Sequence, residues 1–187
     1  QSGPMLPSML VEGGAVVRRI SIGDDPELLI EHLREEYETF APDIIITSGG
    51  ISHGKYEVVR NAIALAPSLG LPIPLSWFGH VSQQPGGPQG VNVLDFNGHR
   101  LPMISFPGNP VSTLISYVLM LRPYLRAGGP YGTPHEVASR MATLENAPRG
   151  VLVIDKPLTA PPNKRQFLRG NLAMVESEPG TYRVEPV

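Results

Sequence analysis

The chain has 187 residues, 41% of them hydrophobic and 17% charged, which is typical of a globular protein with one medium domain and at most a small appendage. A net charge of −2 excludes the positive field that nucleic-acid binding needs, and the absence of cysteine excludes disulfides, zinc–thiolate sites and a cysteine nucleophile. No apolar run approaches the roughly 18 residues of a membrane span. We therefore expect a soluble, cytoplasmic protein that binds neither nucleic acid nor membranes.

The first elements along the chain alternate between helix and strand. A helix-like apolar set at residues 5–10 is followed by residues 15–20, which are predicted to form a short strand. A second helix begins at Asp25, an acidic cap followed by proline, and has apolar residues at spacings of three and four as far as Phe40. This helix is predicted to pack on a sheet.

The next segment is a β-branched apolar run at residues 43–47, which predicts a strand buried on both faces. Strand, helix and strand in this order predict a parallel α/β unit, and the ligands of such sheets lie beyond the carboxyl ends of the strands. The loop of residues 48–57 is therefore predicted to meet a ligand.

A second junction between strand and helix is predicted further along. Residues 58–66 continue as a helix, and the β-like pieces of residues 74–105 include the hairpin signal Asn97–Gly98. Residues 106–112 then open an apolar helix at 111–125, in which Asn109 is a candidate N-cap. The two junctions are predicted to open on the same edge of the sheet.

The pattern changes after residue 130, where no helical period is found. Short strands are predicted at residues 151–154, 165–172 and 182–184, separated by turns rich in proline and glycine. These strands predict a separate small β domain.

The glycine-rich loop that begins at Ser48 is a candidate cradle for phosphate or another oxyanion, because glycine lets backbone N–H groups approach an anion closely. The alternative is a tight turn without a ligand. A second loop of the same kind at Pro107–Ser112 favours a substrate with more than one anionic group.

Four motifs together carry a family resemblance. They are the runs SGGISHGKYE at residues 48–57, QPGGP at 84–88, FPGNPVS at 106–112 and RQFLRG at 165–170. In this order and spacing they resemble the molybdopterin molybdenumtransferases, which are related to the C-terminal domain of gephyrin. The resemblance runs from Pro4 to the end of the chain.

The resemblance implies a three-layer α/β domain with a mostly parallel sheet over residues 1–130, followed by a small β-barrel domain over residues 131–187. It also implies that the chain is a fragment, with the first strand of the α/β domain, the preceding domains and the end of the barrel absent. A homodimer is expected, as is contact with the adenylyltransferase of the pathway.

The reaction implied by the resemblance exchanges molybdate for the adenylyl group of molybdopterin adenylate, giving molybdenum cofactor and AMP in the presence of Mg²⁺. Molybdate is a substrate in this reaction. The implied catalytic residues are Glu57, which holds the magnesium, and Ser112. The implied substrate-binding residues lie in the two junctions and in the β domain: Ser48, Gly49, Gly50, Ser52, Gly54, Lys55, Pro107, Gly108, Asn109, Pro110, Ser112, Arg165 and Arg169.

The sequence departs from the family pattern at four positions. Glu57 stands where many members have aspartate, and Lys55 replaces a frequent acidic residue. Gln84 and Gly87 stand where many relatives have lysines thought to hold molybdate. Lys55, His53 and His80 are the cations that could compensate for this loss of charge.

Each of these residues also has an interpretation without a ligand. Ser112 could satisfy its own helix start, Glu57 could cap the following helix, and Arg165 and Arg169 could lie on the solvent face of one strand. The histidines could be loop hydrogen-bonders. Trp77 and Phe78 could be core residues and not a pterin platform.

Two other functions compete with molybdenum insertion. One is a non-catalytic binding or scaffold module of the same fold, as in gephyrin, and the loss of the lysines favours it. The other is a nucleotide-processing enzyme of the competence-damage family, which shares the SGG loop but lacks the NPVS continuation at residues 109–112.

Overall fold

The computed structural model describes residues 5–51, 57–143, 150–154 and 156–187. The described helices are α1 (Met5–Glu12), α2 (Pro26–Thr39), α3 (Val58–Leu65), α4 (Pro110–Ser116), α5 (Arg122–Arg126) and α6 (Pro134–Thr143). The described strands are β1 (Ile45–Ser48), β2 (Leu75–His80), β3 (Gln83–Gln84), β4 (Pro88–Phe96), β5 (His99–Phe106), β6 (Gly150–Leu152), β7 (Arg165–Gln166), β8 (Gly170–Met174) and β9 (Tyr182–Pro186). None of these helices is long and apolar enough to cross a membrane.

A four-stranded sheet lies at the centre of the larger part of the chain, in the order β1, β5, β4, β2. β1 and β5 are parallel, whereas β4 is antiparallel to both of its neighbours. α2 and α3 pack on one face of the sheet, and α1 and the helical run at residues 110–126 pack on the other. The predicted three-layer α/β fold class is therefore confirmed, with a sheet that mixes parallel and antiparallel pairs.

The predicted start of α2 is confirmed. The carboxylate of Asp25 accepts a hydrogen bond from the backbone N–H of Glu27 at 3.0 Å, and Pro26 occupies the first helical position. Leu29 and Leu33 are buried against the sheet, as their spacing predicts. The amphipathic period of α2 thus determines which face of this helix packs on the sheet.

The hairpin between β4 and β5 turns at Asn97–Gly98, as predicted. Both residues have positive φ, 53° and 92°, which glycine adopts freely and asparagine tolerates. The carboxylate of Asp95 accepts from the N–H of Gly98, and Phe96 pairs with His99 across the turn. This turn sets the register of the two longest strands of the sheet.

The helix predicted over residues 111–125 is confirmed, with one π-helical turn at Tyr117–Leu121. Pro123 follows this turn and has no N–H to donate to the carbonyl of Leu119, so the regular α-helical hydrogen-bond pattern is interrupted here. The hydroxyl of Tyr117 donates to the carbonyl of Met9 at 3.1 Å, which ties this run to α1.

Two sequence predictions at the edge of the sheet are wrong. Residues 15–20 form no strand, and Val16 is 84% exposed, because no described strand lies beside them to pair with. β1 is half-buried and not buried on both faces, since β5 is its only neighbour among the described strands. A groove of about 680 Å³ separates β1 from residues 15–24 and reaches Ser48, Gly49 and Gly50.

The helix α6 contradicts the prediction that no helix follows residue 130. It begins with a capping box, in which the N–H of Thr133 donates to the Glu136 carboxylate at 3.1 Å and the N–H of Glu136 donates to the Thr133 hydroxyl at 3.3 Å. The Arg140 guanidinium reaches the carbonyl of Ala127, so α6 packs beside α5. The signal was present in the sequence as threonine followed three residues later by glutamate.

The C-terminal part is a small β structure. Its three-stranded sheet has the order β6, β9, β8, and β7 pairs separately with β3 of the larger part. The strands predicted at residues 151–154 and 182–184 are confirmed with shifted ends. The described strands do not by themselves close a barrel, so the barrel stays a prediction.

The single strand predicted at residues 165–172 is wrong. β7 pairs in parallel with β3, whereas β8 pairs with β9, and residues 167–169 lie between the two strands. Because the chain changes its pairing partner here, Arg165 and Arg169 do not alternate along one strand. Their spacing of four therefore does not place them on a common face.

Asn92 in β4 provides a test of the core. Its side chain is fully buried, and neither amide atom has a hydrogen-bond partner within the described ranges. An unpaired buried polar group costs about 1–3 kcal/mol. We expect Asn92→Val to raise the free energy of unfolding, measured by chemical denaturation, by about this amount.

Ser105 in β5 is the matched control, because it is also fully buried but accepts a hydrogen bond from the Thr47 hydroxyl at 2.8 Å. Ser105→Ala leaves that hydroxyl unpaired and should lower the free energy of unfolding. An equal loss of stability in Asn92→Val would contradict the absence of a partner for Asn92.

The capping box of α6 makes a prediction about pH. Donation from the N–H of Thr133, followed by the contribution of its side chain, lowers the pKa of the Glu136 carboxyl from its ordinary value of 4.5. The folded-state value is depressed, so the stabilisation is complete above pH 4.5 and is lost as the pH falls through the lowered pKa. Carbon-13 NMR should find Glu136 titrating below 4.5, and Thr133→Ala should move the midpoint upward. An unchanged midpoint in Thr133→Ala would exclude a side-chain contribution.

Candidate functional site

Three strands of the central sheet end at the same edge. β4 is antiparallel to β2 and to β5, so β2 and β5 run in one direction, and β1 is parallel to β5. The residues that end these strands are Ser48, His80 and Phe106. This is the edge at which the sequence places both glycine-containing junctions, and it is the place where ligands of such sheets bind.

The two junctions open on the same edge of the sheet, as predicted, and they are in direct contact. The N–H of Gly49 donates to the carbonyl of Phe106 at 2.9 Å. A methyl group built on Gly108 would lie 3.3 Å from the Cα of Gly49, which is tighter than ordinary contact. The hydroxyls of Ser48 and Thr113 lie 3.5 Å apart. Glycine is favoured at residue 108 because a side chain there would press on the backbone of Gly49.

The loop after β1 begins with two residues of positive φ, Gly49 at 91° and Gly50 at 74°. The carbonyl of Gly50 accepts from the N–H of Val59 at 3.1 Å, and from that of Arg60 at 3.5 Å. These early amides of α3 are therefore bonded within the protein. The other predicted binding residues of this loop, Ser52, Gly54 and Lys55, lie outside the described residues.

The second junction is organised by Asn109, which is the N-cap that the sequence predicts. Its side-chain oxygen accepts from the N–H groups of Val111 at 3.0 Å and of Ser112 at 3.2 Å, and Pro110 takes the first helical position. The amide of Ser112 is thus already bonded. In the predicted oxyanion loop at Pro107–Ser112, this pairing removes the Ser112 amide from the donors open to an anion.

Ser112 itself is buried beneath the loop of residues 83–87. A methyl group built on Gly86 would lie 3.4 Å from the Cβ of Ser112. The loop is held by Gln89, whose amide donates to the carbonyl of Gly86 at 2.9 Å and to the hydroxyl of Ser116 at 2.8 Å. Ser112 and the 83–87 loop are therefore one packed unit.

The C-terminal part reaches the same unit through β7. Arg165 pairs with Gln83, and the N–H of Arg165 donates to the carbonyl of Ser82 at 2.8 Å. Arg169 instead lines a separate groove of about 320 Å³ with residues of β6, β9 and their connections. The structure therefore brings Arg165, and not Arg169, beside the loop that covers Ser112.

Glu57 occupies the N-cap position of α3, but its side chain makes no capping hydrogen bond. The capping interpretation of this carboxylate is therefore not supported. Within the described ranges, no three histidine or carboxylate side chains come together as a metal-binding group.

Sequence reasoning missed Thr113. This residue is fully buried, and its hydroxyl donates to the carbonyl of Pro107 at 2.8 Å while it also lies beside the Ser48 hydroxyl. It therefore joins the two junctions from beneath. A second hydroxyl beside Ser112 in the first turn of α4 was the available signal. Trp77 is 43% exposed, whereas Phe78 packs against the core, so of this pair only Phe78 is confirmed as a core residue.

Comparison with known proteins identifies the family to which this arrangement belongs. Residues 1–127 match the family described as "Probable molybdopterin binding domain". The chain is 37% identical over 169 residues to molybdopterin molybdenumtransferase 2 of Mycobacterium tuberculosis, covering 90% of this chain and 36% of the relative. It is 26% identical over 172 residues to molybdopterin molybdenumtransferase 1 of the same species, covering 91% and 35%.

A shorter match, 33% identical over 102 residues, is to gephyrin of Dictyostelium discoideum, covering 48% of this chain and 13% of the relative. The chain thus spans about a third of the length of the transferases that it matches. The family match, the paired glycine junctions and the FPGNPVS motif agree with one another. The chain belongs to the molybdopterin-binding domain family of molybdenum cofactor biosynthesis.

Proposed function

We propose that the protein of which this chain is part inserts molybdenum into molybdopterin, using molybdopterin adenylate and molybdate to give molybdenum cofactor and AMP. The observation that carries this proposal is the meeting of four segments at one sheet edge: Ser48–Gly50, the 83–87 loop, Pro107–Ser112 and Arg165. A substrate that carries a diphosphate at one end and meets an oxyanion at the other needs such an extended polar edge.

The roles divide between the two junctions. The loop after β1 would receive the phosphates of the adenylylated pterin, since its glycines let the substrate approach the backbone closely. The Ser112 hydroxyl and the Arg165 guanidinium would receive molybdate, because a guanidinium can donate two parallel hydrogen bonds to an oxyanion. Molybdopterin supplies sulfur ligands itself, which agrees with a chain that has no cysteine.

Magnesium fits the donor set at Glu57. Mg²⁺ is commonly held by one or two carboxylates together with substrate phosphates and water, so a single carboxylate beside a phosphate loop is sufficient. When bound, the cation would neutralise charge on the phosphoanhydride. Glu57 would hold it, and the glycine loop would orient the diphosphate beside it.

A homodimer, a place in the cytoplasm and an encounter with the adenylyltransferase of the pathway belong to the same proposal. The decisive experiment incubates the full-length protein with molybdopterin adenylate, Mg²⁺ and molybdate and measures AMP. Release of AMP that depends on molybdate supports the proposal. Tight binding of the adenylate without release of AMP would favour a non-catalytic binding module.

For the magnesium ligand, we expect Glu57→Gln to lower the rate of AMP release by at least a hundred-fold, about 3 kcal/mol in the transition state, with little effect on adenylate affinity. Glu57→Asp keeps the charge and is the matched control, which should retain most of the activity. Turnover and magnesium dependence that are unaltered in Glu57→Gln would contradict the assignment.

For the molybdate end, the two arginines can be compared directly. Arg165→Ala should raise the molybdate concentration for half-maximal rate by about ten-fold, as expected for a charge-assisted hydrogen bond, and Arg165→Lys should recover only part of the loss. Arg169→Ala should have a smaller effect, because Arg169 lines the separate groove. The reverse order of effects would contradict this assignment and place the molybdate contact at Arg169.

A further inference from the structure

The hydroxyl of Thr113 makes a contact that the start of α4 does not require. The backbone N–H of Thr113 donates to the Asn109 carbonyl at 2.9 Å, and its hydroxyl reaches the same oxygen at 3.0 Å. Threonine commonly bonds the carbonyl four residues earlier in a helix. The hydroxyl also donates to the carbonyl of Pro107 at 2.8 Å, six residues earlier and outside the helix. A hydroxyl has one proton, so the two carbonyls share it, and the shorter distance favours Pro107.

The bond to Pro107 restrains the residue that touches the other junction. The Pro107 carbonyl belongs to the planar peptide that links Pro107 to Gly108, so a bond to its oxygen restricts the orientation of that whole unit. A methyl group built on Gly108 would lie 3.3 Å from the Cα of Gly49. The Gly49 N–H in turn donates to the carbonyl of Phe106 at 2.9 Å. The peptides on both sides of Pro107 are therefore held, one by Thr113 and the other by Gly49.

Thr113 also contacts the end of β1 directly. Its hydroxyl oxygen lies 3.5 Å from that of Ser48, which is longer than an ordinary O–H···O bond and is a contact more than a strong bond. Thr113 is fully buried, whereas Ser48 is exposed at the edge of the sheet. A side chain fixed by packing in the core positions its neighbours more precisely than a residue on an exposed loop. Thr113 thus holds both junctions from a place that is set by the packing of α4.

We propose that Thr113 is a positioning residue for the reaction: its hydroxyl holds the Pro107–Gly108 peptide against Gly49 and so fixes the separation of the two junctions. This inference rests on the function proposed above, in which one junction receives the phosphates and the other lies at the molybdate end. Thr113 is fully buried and contacts neither substrate, so its loss should change the affinity for each only slightly. The rate should fall, because a displacement of about 1 Å between reacting groups can cost about a hundred-fold.

Thr113→Val tests the hydroxyl, since valine keeps the branched shape and replaces the hydroxyl with a methyl group. In the full-length protein, the rate of AMP release at saturating adenylate and molybdate should fall by about ten-fold or more. The two half-saturating concentrations should change by less than about two-fold, because the groups that touch the substrates remain. Thr113→Ser keeps the hydroxyl and should retain most of the rate. An equal loss of rate in the serine variant would contradict a role of the hydroxyl.

Ser105→Ala is the matched control for a loss of stability. It removes the acceptor of another buried hydroxyl pair at the end of β1, in which the Thr47 hydroxyl donates to Ser105 at 2.8 Å. Thr47 and Ser48 are consecutive in the strand, so their side chains point to opposite faces of the sheet. Ser105→Ala should lower the free energy of unfolding without lowering the rate. A rate that falls equally in Ser105→Ala and Thr113→Val would reduce the effect to stability and overturn the proposal.

Hydrogen exchange at the Gly49 amide measures the link between the junctions without any reaction. This amide is protected by its bond to the Phe106 carbonyl, and local opening of that bond allows exchange. In folded full-length protein, exchange at Gly49, followed by mass spectrometry, should be about ten-fold faster in Thr113→Val than in the wild type. Thr113→Ser and Ser105→Ala should exchange at close to the wild-type rate. Unchanged exchange in Thr113→Val would overturn the proposal.

The two measurements separate a failure of this inference from a failure of the proposed function. If the wild type releases AMP and Thr113→Val releases it equally fast, the function stands and the role of Thr113 is overturned. If the wild type releases no AMP, the proposed function fails, and the role of Thr113 is judged by hydrogen exchange alone. Faster exchange at Gly49 in Thr113→Val, absent from Thr113→Ser, then supports the role of Thr113 in holding the junctions together. Equal exchange in all variants overturns it.

Discussion

The parallel pairing of β1 with β5 is the constraint on which the rest of the candidate site depends. It makes both strands end at one edge, and the hydrogen bond from the Gly49 N–H to the Phe106 carbonyl extends the ladder by one further residue into the junctions. Gly108 approaches Gly49 closely because it has no Cβ, and Gly49 adopts a positive φ that glycine accepts freely. A side chain at residue 108 would push apart two loops that the proposed substrate must meet together.

The same constraint accounts for the internal bonding of early amides in both helices, those of Val59 and Arg60 in α3 and those of Val111 and Ser112 in α4. Each loop leaves its strand through a tight turn, and a polar group of the loop then folds back on the helix: the carbonyl of Gly50 at α3 and the side chain of Asn109 at α4. These bonds stabilise the turns without any ligand. The edge is consequently shaped by backbone, and Arg165 brings a side chain of positive charge beside the 83–87 loop.

Local signals in the sequence predict much of this arrangement. Asp25, Asn109 and the Asn97–Gly98 turn were identified correctly because a cap or a hairpin turn is decided within four residues. The capping box of Thr133 and Glu136 is equally local and was overlooked. The family resemblance supplied the identity of the junctions, which single glycines could not have done.

The sequence predictions that the structure contradicts concern pairing between segments far apart in the chain. Residues 15–20 have the composition of a strand, but a strand exists only beside a partner, which composition does not reveal. The run at residues 165–172 has a uniform strand-like composition, but its first part pairs with β3 and its last part with β9. No local property of the sequence indicates where one strand ends and the next begins. The bond from the Val59 amide to Gly50 depends on the path of the loop, which the sequence does not specify.

The short pairing of β3 with β7 has a mechanical consequence. The C-terminal part touches the 83–87 loop through the bonds from Arg165 to Ser82 and from Phe167 to Gln84, and that loop rests on Ser112 through Gly86. A tilt of the C-terminal sheet would therefore displace the 83–87 loop and, through Gly86, press on Ser112 at the edge of the central sheet. Conversely, a ligand that clamps the loop would restrict this tilt, so that occupancy of the edge and orientation of the C-terminal part become thermodynamically linked.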